Sequence, residues 1–186
     1  MYEALALLEL SLWMGLPAWI ANATPVIFGG GKPIDGGRVL SDGRRLLGDG
    51  KTIRGFFAGV LWGTLTGVIQ FLSAPYILPV MSQYVVVTPE MEKILFMTIP
   101  LAVLLSFGAL FGDIVGSFLK RRVDLRSGGP SPVLDQLGFI IMALIFAYPL
   151  LQPSYPYVLV LVFMTLGIHW FSNALGYLLG FKKNPW

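Results

Sequence analysis

The stretch Gly112-Asp113-Ile114-Val115-Gly116-Ser117-Phe118-Leu119-Lys120-Arg121-Arg122-Val123-Asp124-Leu125-Arg126-Ser127-Gly128-Gly129-Pro130-Ser131-Pro132-Val133-Leu134-Asp135-Gln136 decides how the chain is read. An uncharged apolar run precedes it and another follows it. It holds three of the ten acids and four of the thirteen Lys and Arg residues. Charges this dense between apolar segments are costly unless they sit at a membrane edge or build a site. Both readings apply here.

Composition widens that reading to the whole chain. Of 186 residues, 55% are hydrophobic and 12% are charged, with a mean hydropathy of +0.74. A soluble domain carries about 25% charged residues, so most of this chain belongs in a bilayer. The net charge of +3 does not point to nucleic acid, because the basic residues lie in loops beside apolar spans. There is no cysteine and one histidine, which excludes disulfides, thiolate chemistry and a multi-His zinc site. The first apolar run is too long for a signal-peptide core and lacks a basic start, so it reads as a retained span.

The expected fold is an all-α, polytopic membrane domain of about five transmembrane helices. The spans are placed at 5–24, 55–74, 92–120, 132–150 and 157–179, with an interior Pro100 kinking the third. Trp13 and Trp19 read as interface anchors or packing residues, Trp19 being the better anchor. Polar loops occupy 29–54 and 120–132. With the tail, these loops gather twelve of the thirteen Lys and Arg residues on one side, leaving Lys93 on the other. The positive-inside rule makes that side cytoplasmic, with the N-terminus outside and the C-terminus inside. The localisation expected is the cell membrane, with the polar loops forming a site on the cytoplasmic face.

Asp113, Ser117 and Lys120 are spaced i, i+4, i+7 and share one helical face, which Asp124 joins if the helix continues. Asp113 lies about two turns inside the basic cluster, where a carboxylate is a functional-site hypothesis by default. Asp135 sits one turn into the next helix, where it either caps the helix or faces Asp113. Two facing carboxylates near many cations suit a hard divalent ion whose shell phosphate oxygens complete. Gly48-Asp49-Gly50-Lys51-Thr52 fails as a P-loop, because Arg45 stands where a glycine is required and no strand precedes it. It still places Lys51, Thr52 and Arg54 at a helix start, which suits phosphate. His169, with Asn173 nearby, reads as a hydrogen-bonded structural residue. Arg122 either meets lipid headgroups or serves the site.

These residues resemble a known family. Gly-Asp-x-x-x-Ser-x-x-Lys-Arg at 112–121, a Gly/Pro loop, then Leu134-Asp135 is similar to the signature of the CDP-diacylglycerol synthases. The resemblance is closer to their short archaeal relatives, the CDP-archaeol synthases. It extends to Asn22-x-x-Pro25, to Gly29-Gly30-Gly31-Lys32-Pro33-Ile34-Asp35 and to Gly48-Asp49-Gly50-Lys51-Thr52. The Lys-Asp pair of the bacterial and eukaryotic signature is absent, with Arg126-Ser127 near its place, and Asp124 stands as a substitute for its acid.

The resemblance implies transfer of a cytidylyl group from CTP to 2,3-di-O-geranylgeranylglycerol 1-phosphate, with loss of pyrophosphate. It implies Mg²⁺ on Asp113 and Asp135, and a triphosphate held by Lys51, Thr52, Ser117, Lys120 and Arg121. Arg122 and Arg126 are then placed near the lipid phosphate or the headgroups, and Asn22, Asp35 and Arg38 near base, ribose or phosphate. Rival readings are the diacylglycerol version of the reaction, an ion-coupled transporter using Asp113 and Asp135, and a scaffold for anionic lipid. The transporter reading suffers because the charges gather at one face and no internal repeat exists.

Overall fold

The computed structural model describes residues 1–125 and 131–181, the side chains at 132 and 133 excepted. The helices are α1 (Tyr2–Phe28), α2 (Ile53–Met81), α3 (Pro89–Leu95), α4 (Ile99–Arg122), α5 (Pro132–Leu151) and α6 (Tyr155–Leu178). Five of them carry stretches long and apolar enough to cross a bilayer, and α3, of seven residues, does not. Among the described residues there is no strand, only two isolated bridges. The all-α, five-span, multi-pass membrane architecture expected from hydropathy is therefore the one observed.

The span expected at 92–120 is instead two helices. The chain leaves the helical conformation at Phe96 (ψ 69°) and restarts after an extended Thr98. Pro100 falls in the first turn of α4. A missing N–H matters little there, because first-turn donors have no intrahelical partner. Pro100 thus opens a helix rather than kinking one. Conversely, α2 runs on through Pro75 and Pro79 to Met81, and α1 runs on through Pro25 to Phe28. Interior proline is tolerated in membrane helices, where neighbouring groups can re-satisfy the freed carbonyls.

Glycine stripes set the helix spacing. Gly55, Gly59, Gly63 and Gly67 recur every four residues on α2, and all four are buried. A Cβ on Gly59 would lie 2.6 Å from Ala21 O and 2.8 Å from Leu110 Cδ1, so this face of α2 beds directly on α1 and α4. On α4, a Cβ on Gly112 would lie 2.6 Å from Gly138 O, and one on Gly108 would lie 2.8 Å from Ala143 Cα. Hence α4 and α5 pack backbone to backbone, the small-residue mode of membrane helix pairs. This antiparallel register sets Asp113 and Asp135 at nearly the same level along α4 and α5.

The two tryptophans are ties between helices, in line with the packing alternative of their two readings. Its indole donates to Thr165 Oγ1 on α6 at 3.1 Å, and Trp13 donates to Leu95 O on α3 at 3.1 Å. An indole N–H inside a bilayer needs such a partner. Gln70, 2% exposed, donates to Trp13 O at 2.6 Å and joins α2 to this network.

Candidate active site

The end of α1, the start of α2, the end of α4 and the start of α5 meet at the polar end of the bundle. Residues 29–52 form a strap there. Its base is closed by the antiparallel Pro33–Thr52 bridge, with Ile34 N–H donating to Lys51 O (2.8 Å) and Ile53 N–H to Lys32 O (3.1 Å). Its tip is closed by the Val39–Arg45 bridge, with Leu40 N–H donating to Arg44 O and Leu46 N–H to Arg38 O, both 2.9 Å.

Asp35 fills the space between base and tip. Its side chain is wholly screened from solvent. The carboxylate accepts from the backbone N–H of Gly37 (3.0 Å), Leu47 (3.0 Å) and Gly48 (3.3 Å), and from Arg45 Nη2 (3.0 Å). Gly36 and Gly37 have φ of 56° and 83°. This left-handed turn suits glycine and aims the Gly37 N–H back at Asp35. Burial opposes ionisation of Asp35, but the Arg45 guanidinium and the three N–H groups outweigh it and bring its pKa to about 2.

The tip of the strap is fastened to the end of α4. Arg122 donates from Nη1 to Asp42 Oδ2 and from Nη2 to Arg45 O, both at 2.6 Å, while lying over the Phe118 ring. Arg44 donates to Arg122 O at 2.5 Å and pairs with Asp124 at 3.5 Å. The helix stops where these contacts begin. Asp124 has φ 63°, Leu125 N–H bonds to Lys120 O (2.9 Å) and Asp124 N–H bonds to Arg121 O (3.3 Å). These are the two bonds of a Schellman cap. Asp124 therefore leaves the face it was expected to extend, and its exposed carboxylate meets Arg44 instead.

Two ion pairs of another kind lie inward of the strap. Lys51 Nζ meets Asp113 Oδ2 at 2.5 Å, joining the strap base to α4. Lys120 Nζ meets Asp135 Oδ1 at 2.5 Å, joining α4 to α5. Asp135 uses its other oxygen to accept from Ser131 N–H at 3.0 Å. The capping reading of this residue is thus met by one oxygen, while the other is held by Lys120. Ser117 is buried about one turn from both Asp113 and Lys120. Arg121 is buried within the field of Asp135. A small pocket beside the first pair is lined by Pro25, Ile34, Gly50, Thr52, Leu110 and Ile114.

The other expected residues fall around this centre. The Thr52 hydroxyl oxygen accepts from Gly55 N–H at 3.1 Å and caps α2. Asn22 is half-buried, one turn before Pro25. Arg38 is exposed on the strap. His169 and Asn173 are paired at 3.1 Å, with the imidazole beside Phe139, one turn from Asp135. Arg126 lies outside the described residues. Sequence reasoning missed the clamp of Arg45 on Asp35 and the fastening of Asp42 and Arg44 to α4. Their partners are up to 80 residues apart, and only the Gly-Gly turn after Asp35 hinted at a built loop.

Residues 4–186 match the model of a family described as CarS-like, CDP-archaeol synthase. The CDP-archaeol synthase of Thermococcus kodakarensis is 51% identical over 176 residues, 95% of this chain and 95% of that protein. The enzyme of the same name from Methanopyrus kandleri is 47% identical over 178 residues, 94% of this chain and 91% of that one. A solved structure of an intramembrane enzyme for archaeal membrane lipid biosynthesis superposes with a TM-score of 0.71 at 39% identity. It covers 87% of this chain and 91% of its own. The family match, the identity over most of the chain and the shared membrane fold agree, and the chain belongs to the CDP-archaeol synthase family.

Proposed function

We propose that this chain transfers the cytidylyl group of CTP to 2,3-di-O-geranylgeranylglycerol 1-phosphate, giving CDP-archaeol and pyrophosphate. A lipid phosphate oxygen forms a bond to the α-phosphorus of CTP as the bond from that phosphorus to the β-phosphate bridging oxygen breaks. The nucleophile is already an anion, so no strong general base is needed. The barrier lies in bringing polyanions together and stabilising the leaving pyrophosphate, which is work for fixed cations and positioning.

The observation that carries this reading is the presence of two Lys–Asp pairs at the polar end of the bundle, Lys51 with Asp113 and Lys120 with Asp135, with Ser117 and Arg121 buried on the same end of α4. Lys51, Lys120 and Arg121 bind phosphate oxygens, and the Ser117 hydroxyl donates to one of them. Thr52 caps α2 beneath this group and keeps the Lys51 backbone in register. Among the described residues, no three acidic or imidazole side chains gather as a ready-made metal cage. A pair of hard carboxylates nonetheless suits Mg²⁺, which commonly takes one or two protein carboxylates and fills its shell with phosphate and water. Asp113 and Asp135 would hold it, and when bound it supplies charge neutralisation at the phosphates. The polar end faces the cytoplasm of the cell membrane, in keeping with nine of the ten Lys and Arg among the described residues lying at that end. The isoprenoid chains then enter from the inner leaflet.

The test is turnover by detergent-purified protein given CTP, Mg²⁺ and either the geranylgeranyl-ether phosphate or diacyl phosphatidate. Pyrophosphate and liponucleotide are followed by mass. The expected result is CDP-archaeol formation that EDTA abolishes. Folded protein that binds CTP but forms no liponucleotide would overturn the reading.

A further inference from the structure

In both inner ion pairs the carboxylate proposed for the cation is held by a lysine proposed for phosphate. Lys51 holds Asp113 and Lys120 holds Asp135, each at 2.5 Å. We propose that the site works by partner exchange: the cation takes the two carboxylates, and the released lysines take the nucleotide phosphates. This rests on the reading above and deepens it.

The physical reason is that neither ligand finds its partners vacant. The four side chains sum to zero charge. A divalent ion on Asp113 Oδ2 would be pressed against an ammonium already at hydrogen-bond distance. A phosphate reaching Lys51 without the cation would meet the Asp113 carboxylate beside it. Each ligand removes the obstacle to the other, so their binding is coupled, and the coupling is reciprocal. Both pairs are reachable from solvent, at 27% and 30% exposure for Lys51 and Asp113, and 13% and 29% for Lys120 and Asp135. The exchange needs no movement of the strap. The Lys51 backbone is fixed by its bond from Ile34, and the flexible stem alone carries the ammonium from one anion to the other. Arg122 and Arg45 do not take part, because they are engaged on backbone and carboxylate groups of the strap itself.

The test is calorimetric CTP binding to the full chain without lipid, in Mg²⁺ and in EDTA, on Lys51→Met, Asp113→Asn and the double variant. Exchange predicts that Lys51→Met weakens CTP binding at least ten-fold in Mg²⁺ and less than three-fold in EDTA, where Lys51 is held by Asp113. It predicts that Asp113→Asn tightens CTP binding in EDTA several-fold, and that the double variant loses this gain. Equal weakening by Lys51→Met in both buffers would overturn the exchange, as would a gain that survives in the double variant. In either case the enzymatic reading stands. Wild type that binds no CTP in Mg²⁺ would overturn both. Lys120→Met with Asp135→Asn forms a second cycle, which decides the matter if a variant of the first pair fails to fold.

Discussion

The strap and the inner pairs use the same chemistry for different ends. At the strap, two guanidiniums are each spread over two acceptors: Arg122 holds Asp42 and a backbone carbonyl, and Arg45 holds Asp35 and Asp49. Asp35 is enclosed and takes four separate donor groups. In the inner pairs, each lysine makes one contact with one carboxylate among the described residues, and both partners stay partly open. Multidentate guanidinium contacts fix geometry, whereas an ammonium on a flexible stem is readily given up. The strap is therefore architecture, and the lysine pairs are where ligands act.

The largest effect tests the inner pairs. Asp113→Asn and Asp135→Asn are each expected to lower turnover by about 10³-fold, the scale for removing a main electrostatic group from a transition state. Neither is expected to unfold the protein, because Asn keeps the volume, and at position 135 it keeps an acceptor for the Ser131 N–H. Turnover and a thermal melt on the same preparations check this. A collapsed melting temperature would make these residues architecture too, and the contrast would fail.

Asp35→Asn comes next and should behave the opposite way, lowering stability first and turnover by about ten-fold through a looser Lys51. The ionised carboxylate holds the strap by about 2 kcal/mol, the scale of its displacement from the ordinary aspartate range to about 2. Because the folded-state pKa is the lower one, this contribution is fully present above about pH 4. It is lost as the pH falls toward 2. Acid-active protease should cut wild type within 35–50 near pH 2 and spare it at pH 5, while Asp35→Asn should be cut at both. A strap equally resistant in both proteins would show that Asp35 is not its staple.

What the amino-acid sequence disclosed follows the range of the forces involved. Spans come from local hydropathy, so five were readable. The face shared by Asp113, Ser117 and Lys120 follows from helical period alone. The break at 96–98 was missed because Pro100 reads equally as a kink or a start, and only the extended Thr98 separates the two. The stripe of Gly55, Gly59, Gly63 and Gly67 went unread, because four-residue spacing alone does not name the faces of α1 and α4 that it meets. The strap was least readable. An acid in a Gly-rich loop carries no sign of the six backbone and guanidinium bonds that enclose Asp35.

A smaller effect is expected at Arg122. Lysine there keeps the charge but cannot reach both Asp42 and the Arg45 carbonyl in the fork geometry. Arg122→Lys should raise KM for CTP a few-fold through the strap and leave KM for the lipid unchanged. A rise confined to the lipid KM would instead place Arg122 on the lipid phosphate.

The smallest effect separates pairs set by helix spacing from ties made by the strap. Gly116 lies on α4 between Asp113 and Lys120, facing α5. A Cβ there would rest 3.5 Å from Leu134 Cγ, an ordinary contact with a side chain that can adjust. At Gly112 the same atom would strike the Gly138 carbonyl, backbone that cannot give. Gly116→Ala should therefore leave α5 where it is and the Lys120–Asp135 pair intact. Turnover is expected within two-fold of wild type, with stability unchanged or raised by up to ~1 kcal/mol from helix propensity. A large loss of turnover with an unchanged melt would mean that the free space at Gly116 is itself used by a ligand. The inner region would then extend along α4 toward α5, beyond the two lysines and their carboxylates.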